Sequence, residues 1–420
     1  MTEETRRWIE ADRNHCWHPF TDQAAWTAAD EEPLVIVRGE GARLWDSEGR
    51  CYLDGNASIW TNIHGHRHPV LDRALKAQVD SIAHSSFLGL ANPRAAELAE
   101  RLCGFFPEQT LERVFFSDDG STAVEVALKM ALQFRVQTGE GERTRFVAFD
   151  NAYHGDTLGA ASLGGVSRFF ERFRRFGLEV DFISSVEELG RLDAGSIAGV
   201  ILEPLIQGVN EMHLWPQGML KEVRRWCDQH GAHLILDEVL TGFGRTGTMF
   251  ACQQEGVVPD FLCLAKGLTG GYLPLAATLT TDEVYQSFNG PENAFYYGHS
   301  YTANQLGCAV ALASLDVFRD EDTLRRVSDL IPVFQESLDG LAGAGVREVR
   351  TIGLMAGVDF EPGAVAGARG REICRAAREL GLLTRPILDT LVLIPPLVVT
   401  AAEIREMAEI VRQSLGRVSG

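Results

Sequence analysis

The chain holds 420 residues, 45% apolar and 23% charged, too long for one simple core and too apolar for disorder. Its formal charge of −19 works against a phosphate backbone or an anionic lipid surface, so neither nucleic acid nor a membrane is an expected partner. Eight cysteines without a CxxC pair read as free thiols, no stretch reaches the ~20 apolar residues of a membrane span, and the polar N-terminus has no apolar signal-like run, which together point to the cytoplasm.

In chain order, Val35 to Asp54 reads as an antiparallel meander with turns at Gly39-Glu-Gly41 and Asp46-Ser-Glu-Gly49. His64-Gly-His-Arg-His68 alternates histidines, which a strand would place on one face. No acid or cysteine cluster lies nearby and Pro69 ends the run, so no metal site is expected. Arg113 to Ala131 reads as a strand, a small turn and a helix whose apolar positions Val124, Ala127, Leu128 and Ala131 follow the 3.6 period. That helix opens with Gly120, Ser121 and Thr122. Unpaired N–H groups and partial positive charge at a helix start suit a phosphate, and the hydroxyls would add donors. A plain capped helix explains the same residues, so the segment alone is weak evidence.

Phe146–Phe149, Gly199–Leu202, His233–Leu236 and Phe261–Leu264 are short apolar runs, with helical patterns such as Met219–His230 between them. They predict a mostly parallel sheet covered on both faces, in an α/β fold. Asp150, Glu203, Asp237 and Ala265-Lys266 fall at the strand ends, where such sheets bind ligands. After the first run, Asn151-Ala-Tyr-His-Gly-Asp156 offers Tyr153 as a stacking ring, or simply a loop aromatic, while His154 reads as a turn histidine. The basic cluster Arg168 to Arg175 reads as a solvated helix face interleaved with core aromatics.

Asp237 at a buried strand end is costly unless it meets a cation, and a protonated pyridine nitrogen would be one. Lys266, 29 residues later, ends another apolar strand, where desolvation favours a neutral amine able to form an imine and carry a proton. The glycines that follow, Gly267, Gly270 and Gly271, would leave room for a flat cofactor. Gly242-Phe-Gly-Arg-Thr-Gly247 matches a dinucleotide-type spacing, but no helix pattern follows, so a nicotinamide site is weak. The C-terminal part mixes helices (Thr323 to Leu341, Arg371 to Leu380, Ala401 to Leu415) with strand-like pieces (Gly353 to Phe360, Leu391 to Ile394). The expected division is a large domain over 56–315 and a small α+β lobe built from 1–55 and 316–420.

Together, Asn-Ala-Tyr-His-Gly-Asp at 151–156, Asp-Glu-Val with Gly-Phe-Gly-Arg-Thr-Gly at 237–247, and Leu-Ala-Lys-Gly at 264–267 resemble the class III, ω-type aminotransferases of fold type I, over roughly residues 13 to 415. The resemblance implies pyridoxal 5'-phosphate bound as a Schiff base to Lys266 and paired through its ring nitrogen with Asp237. It implies Tyr153 over the ring, Val239 on its other face, and Gly120-Ser121 at the phosphate. It further implies a homodimer whose sites lie at the interface, with His299-Ser300 reaching the phosphate from the second chain.

His15-Cys-Trp-His-Pro-Phe-Thr21, Ser58-Ile-Trp-Thr-Asn-Ile-His-Gly-His66 and Leu383-Thr-Arg-Pro386 resemble the branch of that class which aminates 8-amino-7-oxononanoate in biotin biosynthesis. The match implies that Arg385 clamps the substrate carboxylate and that Trp60 lines its alkyl chain. Phe20, Ile59 and Val392 depart from that branch's usual aromatic positions, all three expected in the substrate pocket. S-adenosylmethionine is the usual amino donor, whereas Phe20 with Gly298-His-Ser-Tyr-Thr302 looks more like the form that takes lysine. The alternatives are another ω-aminotransferase, for an ornithine-, GABA- or diamine-like substrate, and a non-catalytic cofactor sensor, which would need neither Lys266 nor Asp237.

Overall fold

The structure, a computed structural model, describes residues 1–28, 33–343, 345–363 and 365–419. Its centre is a seven-stranded sheet in the order Arg113–Ser117, Ala276–Thr280, Phe261–Leu264, His233–Asp237, Ile197–Leu202, Arg145–Phe149, Val180–Ile183. Ala276–Thr280 runs antiparallel to both neighbours and the other strands run parallel. The three strands 197–202, 233–237 and 261–264 are buried along their whole length, which is why they read as unbroken apolar runs. The helix Gly120–Gln137 covers one face, packing Val124, Ala127 and Ala131 with Phe146, Ile201, Ile235 and Phe261. On the other face Val223 and Cys227 of the helix Met219–His230 join Leu202, Leu234, Leu236 and Leu262. Each such large apolar side chain contributes roughly 1.5–3 kcal/mol on burial. The expected strands and the 219–230 helix are all present. Val180–Ile183 and Ala276–Thr280 are additions that the sequence patterns did not single out.

Because the central strands run parallel, their carboxyl ends open on one edge. Asp150, Glu203, Asp237 and Lys266 therefore gather there.

The N-terminal meander forms as expected from Ile36–Glu40, Arg43–Asp46 and Cys51–Asp54. Its fourth strand is Leu382–Leu383, parallel to the third, with Leu382 opposite Leu53. A second four-stranded antiparallel sheet comprises Val346–Ile352, Met355–Phe360, Thr390–Leu393 and Arg385–Ile387. The helices Thr323–Asp339, Ala368–Glu379 and Ala401–Ser419 accompany it. The helix Gln305–Asp320 runs across position 315/316, where a domain boundary was expected.

One local feature shapes the site. Ala57, Ser58, Ile59 and Trp60 all have positive φ, at 42°, 49°, 63° and 68°, so four non-glycine residues make a left-handed turn. Such backbone costs roughly 1–2 kcal/mol per residue. Asp54 offsets it: Oδ1 accepts the N–H groups of Asn56 and Ser58, and Oδ2 accepts the Ser58 hydroxyl and faces His66 Nε2 at 2.9 Å. The Trp60 indole N–H donates to Asn56 Oδ1, and the buried Arg245 guanidinium donates to the carbonyls of Trp60, Asn62 and Pro395. The three histidines after this turn go separate ways, His64 to Ser314, His66 to Asp54 and His68 to Glu321.

Candidate active site

A cavity of about 520 Å³ opens at the carboxyl edge of the sheet. Lys266, Asp237, Gly120, Ser121, Tyr153, Val239, Phe20, Ile59, Trp60 and Arg385 all line it. The sequence expectations for these ten residues thus converge on one place.

Lys266 begins a single 3-10 turn one residue beyond the strand 261–264, with φ of 37°. Its Nζ sits 4.9 Å over the Trp60 ring. Burial lowers its pKa, Asp237 and Glu203 push the other way, and the Arg245 charge reinforces the lowering. The amine is therefore disposed toward the neutral, nucleophilic form. Of the glycines after it, Gly267 packs against Phe243 and Ile63, and Gly270 against Leu71. Only Gly271 reaches the cavity, so these glycines mainly serve close backbone packing and not, as expected, space for a ligand.

Asp237 ends its strand with both oxygens engaged. Oδ1 accepts the Val239 N–H at 3.1 Å, and Oδ2 lies 2.8 Å from His154 Nδ1. The His154 side chain has no exposure, and its Nε2 has no hydrogen-bond partner among the described residues. His154 is therefore not the plain turn histidine expected; it orients the site's central carboxylate. Sequence could not reveal this, because the pair joins residues 83 apart.

The phosphate-type corner is the start of the helix Gly120–Gln137. A Cβ on Gly120 would stand 2.7 Å from Cγ1 of Val239, so only glycine allows this approach. Ser121 Oγ accepts the Asp156 N–H at 3.0 Å. Thr122, expected as a further hydroxyl donor, is instead spent in a capping box with Asp119. Tyr153 donates to Asp156 Oδ2 at 2.6 Å and meets the rings of Phe169 and Phe170. Burial first, and the Asp156 carboxylate second, hold its hydroxyl protonated far above the usual range.

At the mouth, Phe20 packs edge-on against Phe169 at 5.6 Å. Arg168, on the short helix Ser167–Phe170, stacks over Phe169 at 4.7 Å and lines the cavity, which corrects the expectation of a purely solvated basic face. Arg385 leads the edge strand 385–387 and is open to solvent. Desolvation first and the Arg168 charge second lower its pKa. Among the described residues neither guanidinium has a carboxylate within 4.0 Å, so both remain available to an anionic ligand.

Some expected residues lie elsewhere. Val392 is fully buried in a cluster with Trp60, Ile206, Met212, Leu240 and Met355, beneath the cavity wall and not in the pocket. Gly298, His299 and Ser300 do not line the cavity of a single chain. His299 Nδ1 lies 3.4 Å from Asp118, and the Ser300 carbonyl faces His84 Nε2 at 2.7 Å. Glu203, noted in the sequence only as a strand end, lies in the cavity wall and is buried there. Burial raises its pKa to about 7.

The profile of the family described as aminotransferase class-III matches residues 26–415. The adenosylmethionine-8-amino-7-oxononanoate aminotransferase of Geobacter sulfurreducens is 44% identical, over 100% of this chain and 99% of that protein. The crystal structure of the enzyme of the same name from Methanocaldococcus jannaschii superposes with a TM-score of 0.94 at 38% identity, covering 98% of this chain and 99% of that one. An amine transaminase from an uncultivated Pseudomonas species, solved in the PLP-bound form, superposes with a TM-score of 0.89 at 35% identity, covering 96% of this chain and 98% of the other.

Proposed function

The chain belongs to the class-III aminotransferases, with the fold type I architecture of pyridoxal-phosphate enzymes, and from that premise we propose that it transaminates 8-amino-7-oxononanoate to 7,8-diaminononanoate in biotin biosynthesis. The observation that carries this reading is one cavity with Lys266 over Trp60 inside and, at its mouth, Arg385, which has no carboxylate partner among the described residues. An extended acceptor with its ketone at one end and its carboxylate at the other matches that polarity.

The residues present fit pyridoxal phosphate. The Asp237 carboxylate is pre-oriented by a histidine, the Gly120–Val239 approach leaves the helix start bare, and Lys266 is desolvated. When bound, the cofactor supplies a carbonyl carbon that carries the amino group and a ring that spreads negative charge from the substrate carbon. Lys266 would hold the cofactor covalently and move the proton at the substrate carbon. Asp237 would keep the ring nitrogen protonated, with His154 holding the carboxylate in line. Gly120 and Ser121 would hold the phosphate at the helix start, with Tyr153 and Val239 on the two ring faces. Arg385 would bind the substrate carboxylate through charge-assisted hydrogen bonds, and Phe20, Ile59 and Trp60 would exclude water from its alkyl chain.

The enzyme works as a cytoplasmic homodimer in this reading, with Gly298 at the substrate and His299 of the partner subunit and Ser300 of the partner subunit completing the phosphate site. The small lobe combines residues 1–55 with the C-terminal part, and the large domain lies between them. The parallel pairing of Leu382–Leu383 with Cys51–Asp54 supports joining the two termini. The 305–320 helix moves the second boundary to its end, near Glu321.

S-adenosylmethionine is the amino donor, as in the names of the relatives. Lysine is the second reading, favoured by Phe20 and Ile59 in the mouth, which offer a cationic sulfonium fewer aromatic faces and no hydroxyl. The test has two arms. Turnover with 8-amino-7-oxononanoate is expected, and none at all would reject the acceptor. Mixing the cofactor-loaded enzyme with each donor separately shows which one converts the absorbance to the amine form.

A further inference from the structure

The basic segment 168–175 holds four arginines, Arg168, Arg172, Arg174 and Arg175, and they are not equivalent. Arg174 stacks over Phe182 at 5.0 Å and Arg175 over Phe176 at 4.5 Å, and neither they nor Arg172 border the cavity. Arg168 alone of the four lines it, with its guanidinium 4.7 Å from the centre of the Phe169 ring, which lines it too. Phe169 is itself held by other rings, edge-on to Phe20 at 5.6 Å and to Tyr153 at 6.3 Å. Stacking on a ring occupies the flat face of a guanidinium. Its N–H groups lie in the plane, so the edge that grips a carboxylate stays free.

Arg385 reaches the same cavity from the edge strand Arg385–Ile387. Desolvation lowers its pKa first and the Arg168 charge second, so the two cations stand near enough to oppose each other. The acids that border the cavity are engaged elsewhere: Asp118 with His299, Asp119 with the Thr122 N–H, Glu203 with the Gly208 N–H and Asp237 with His154. Among the described residues no carboxylate lies within 4.0 Å of either guanidinium. Two like charges held side by side without an acid oppose each other in the empty chain, and an arriving anion relieves that repulsion.

We infer that Arg168 is a second specificity-determining residue, whose free guanidinium edge binds, together with Arg385, the carboxylate at the far end of the acceptor. The inference rests on the proposed acceptor, which carries its carboxylate away from the reacting ketone. A carboxylate has about four lone-pair sites, enough for a bidentate pair with one guanidinium and further bonds from the other. A primary amide at that end would bring no charge and would turn an N–H₂ donor toward groups that only donate.

The test titrates the amine-loaded enzyme with the unreactive pair 8-aminononanoate and 8-aminononanamide, which differ only in the far group. By calorimetry wild type should bind the carboxylate about a hundredfold more tightly than the amide. Arg168→Gln should lose about tenfold of that preference through the carboxylate alone, with its Kd for the amide within about threefold of wild type. Arg168→Lys should recover part of the loss, and Arg168→Gln combined with Arg385→Gln should bind both ligands alike. Arg172→Gln, which removes the same charge from the same segment outside the cavity, should keep the wild-type ratio. In kinetics, Arg168→Gln should raise KM for 8-amino-7-oxononanoate and leave KM for its primary amide unchanged. A wild type that binds both ligands alike, or an Arg168→Gln protein with the wild-type ratio, would overturn the inference. So would equal weakening of both ligands, which marks lost packing on Phe169, or an equal loss in Arg172→Gln, which marks a diffuse field. If wild type turns over neither ketone, the acceptor assignment fails by itself, and the calorimetric ratio still decides whether Arg168 grips a carboxylate.

Discussion

Replacing Gly120 with alanine isolates the close approach on which the proposed phosphate corner is built. Its added Cβ would sit 2.7 Å from Cγ1 and 3.1 Å from Cγ2 of Val239, against a carbon–carbon optimum of roughly 3.5–4.0 Å. Relief needs a shift of about 1 Å, yet the Val239 N–H is tied to Asp237 at 3.1 Å. Alanine is otherwise the better helix residue, by up to ~1 kcal/mol, so without the contact this substitution would stabilise the chain. Overpacking costs roughly 1–3 kcal/mol, which outweighs that gain. The expected result is a lower melting temperature of the cofactor-free protein and a cofactor Kd weakened by about tenfold, since ~1.4 kcal/mol is a factor of ten. Melting curves and absorbance titrations with pyridoxal phosphate on Gly120→Ala, Val239→Ala and the double variant would measure both effects. The double variant should recover most of the loss, giving a coupling of roughly 1–2 kcal/mol. A Gly120→Ala protein as stable and as tight as wild type, or a double variant no better than the single, would refute the geometry.

Lys266→Ala should abolish transamination, and borohydride reduction followed by peptide mass spectrometry should find the cofactor adduct at position 266 in wild type only. Arg385→Gln should raise KM for the acceptor by roughly 10- to 100-fold, the worth of a charge-assisted hydrogen bond, with little change in cofactor Kd; steady-state kinetics at varied acceptor decides. Glu203 also predicts a pH effect on stability. Its folded pKa of about 7 lies above the ordinary 4.5, so its stabilising contribution is complete below pH 4.5 and is lost as pH rises through 7. Cofactor-free Glu203→Gln should therefore gain on wild type across that window by at most about 3 kcal/mol. Denaturant curves at pH 5 and pH 8 with an unchanged difference would contradict it.

The parts of this molecule that sequence made legible are those written in local pattern. The strands through Ile201, Leu236 and Leu262 show as unbroken apolar runs because both faces are covered, and Asp237 and Lys266 stand out as polar groups at their ends. The 219–230 helix is framed by Gly218 and Gly231, both with positive φ. What stayed hidden depends on distant partners. His154 looked like a loop residue until Asp237 came within 2.8 Å. Val392 was expected in the pocket, but it lies beneath Trp60 in a closed apolar cluster. Arg168 looked like surface charge because nothing local reveals that its short helix leans on Phe20 through Phe169. Glu203 reads as an ordinary strand end in sequence, and only three-dimensional packing shows that it is buried in the cavity wall.

The left-handed turn at 57–60 carries a consequence for anyone who would retune this enzyme. The tilt of the Trp60 ring is set by backbone handedness, which Asp54 and Asn56 enforce through hydrogen bonds although neither residue borders the cavity. Libraries confined to the lining would leave those two anchors untouched. Loosening them would let the segment relax toward right-handed geometry and swing the wall itself, widening the chamber by a route that no exchange of lining side chains can reproduce.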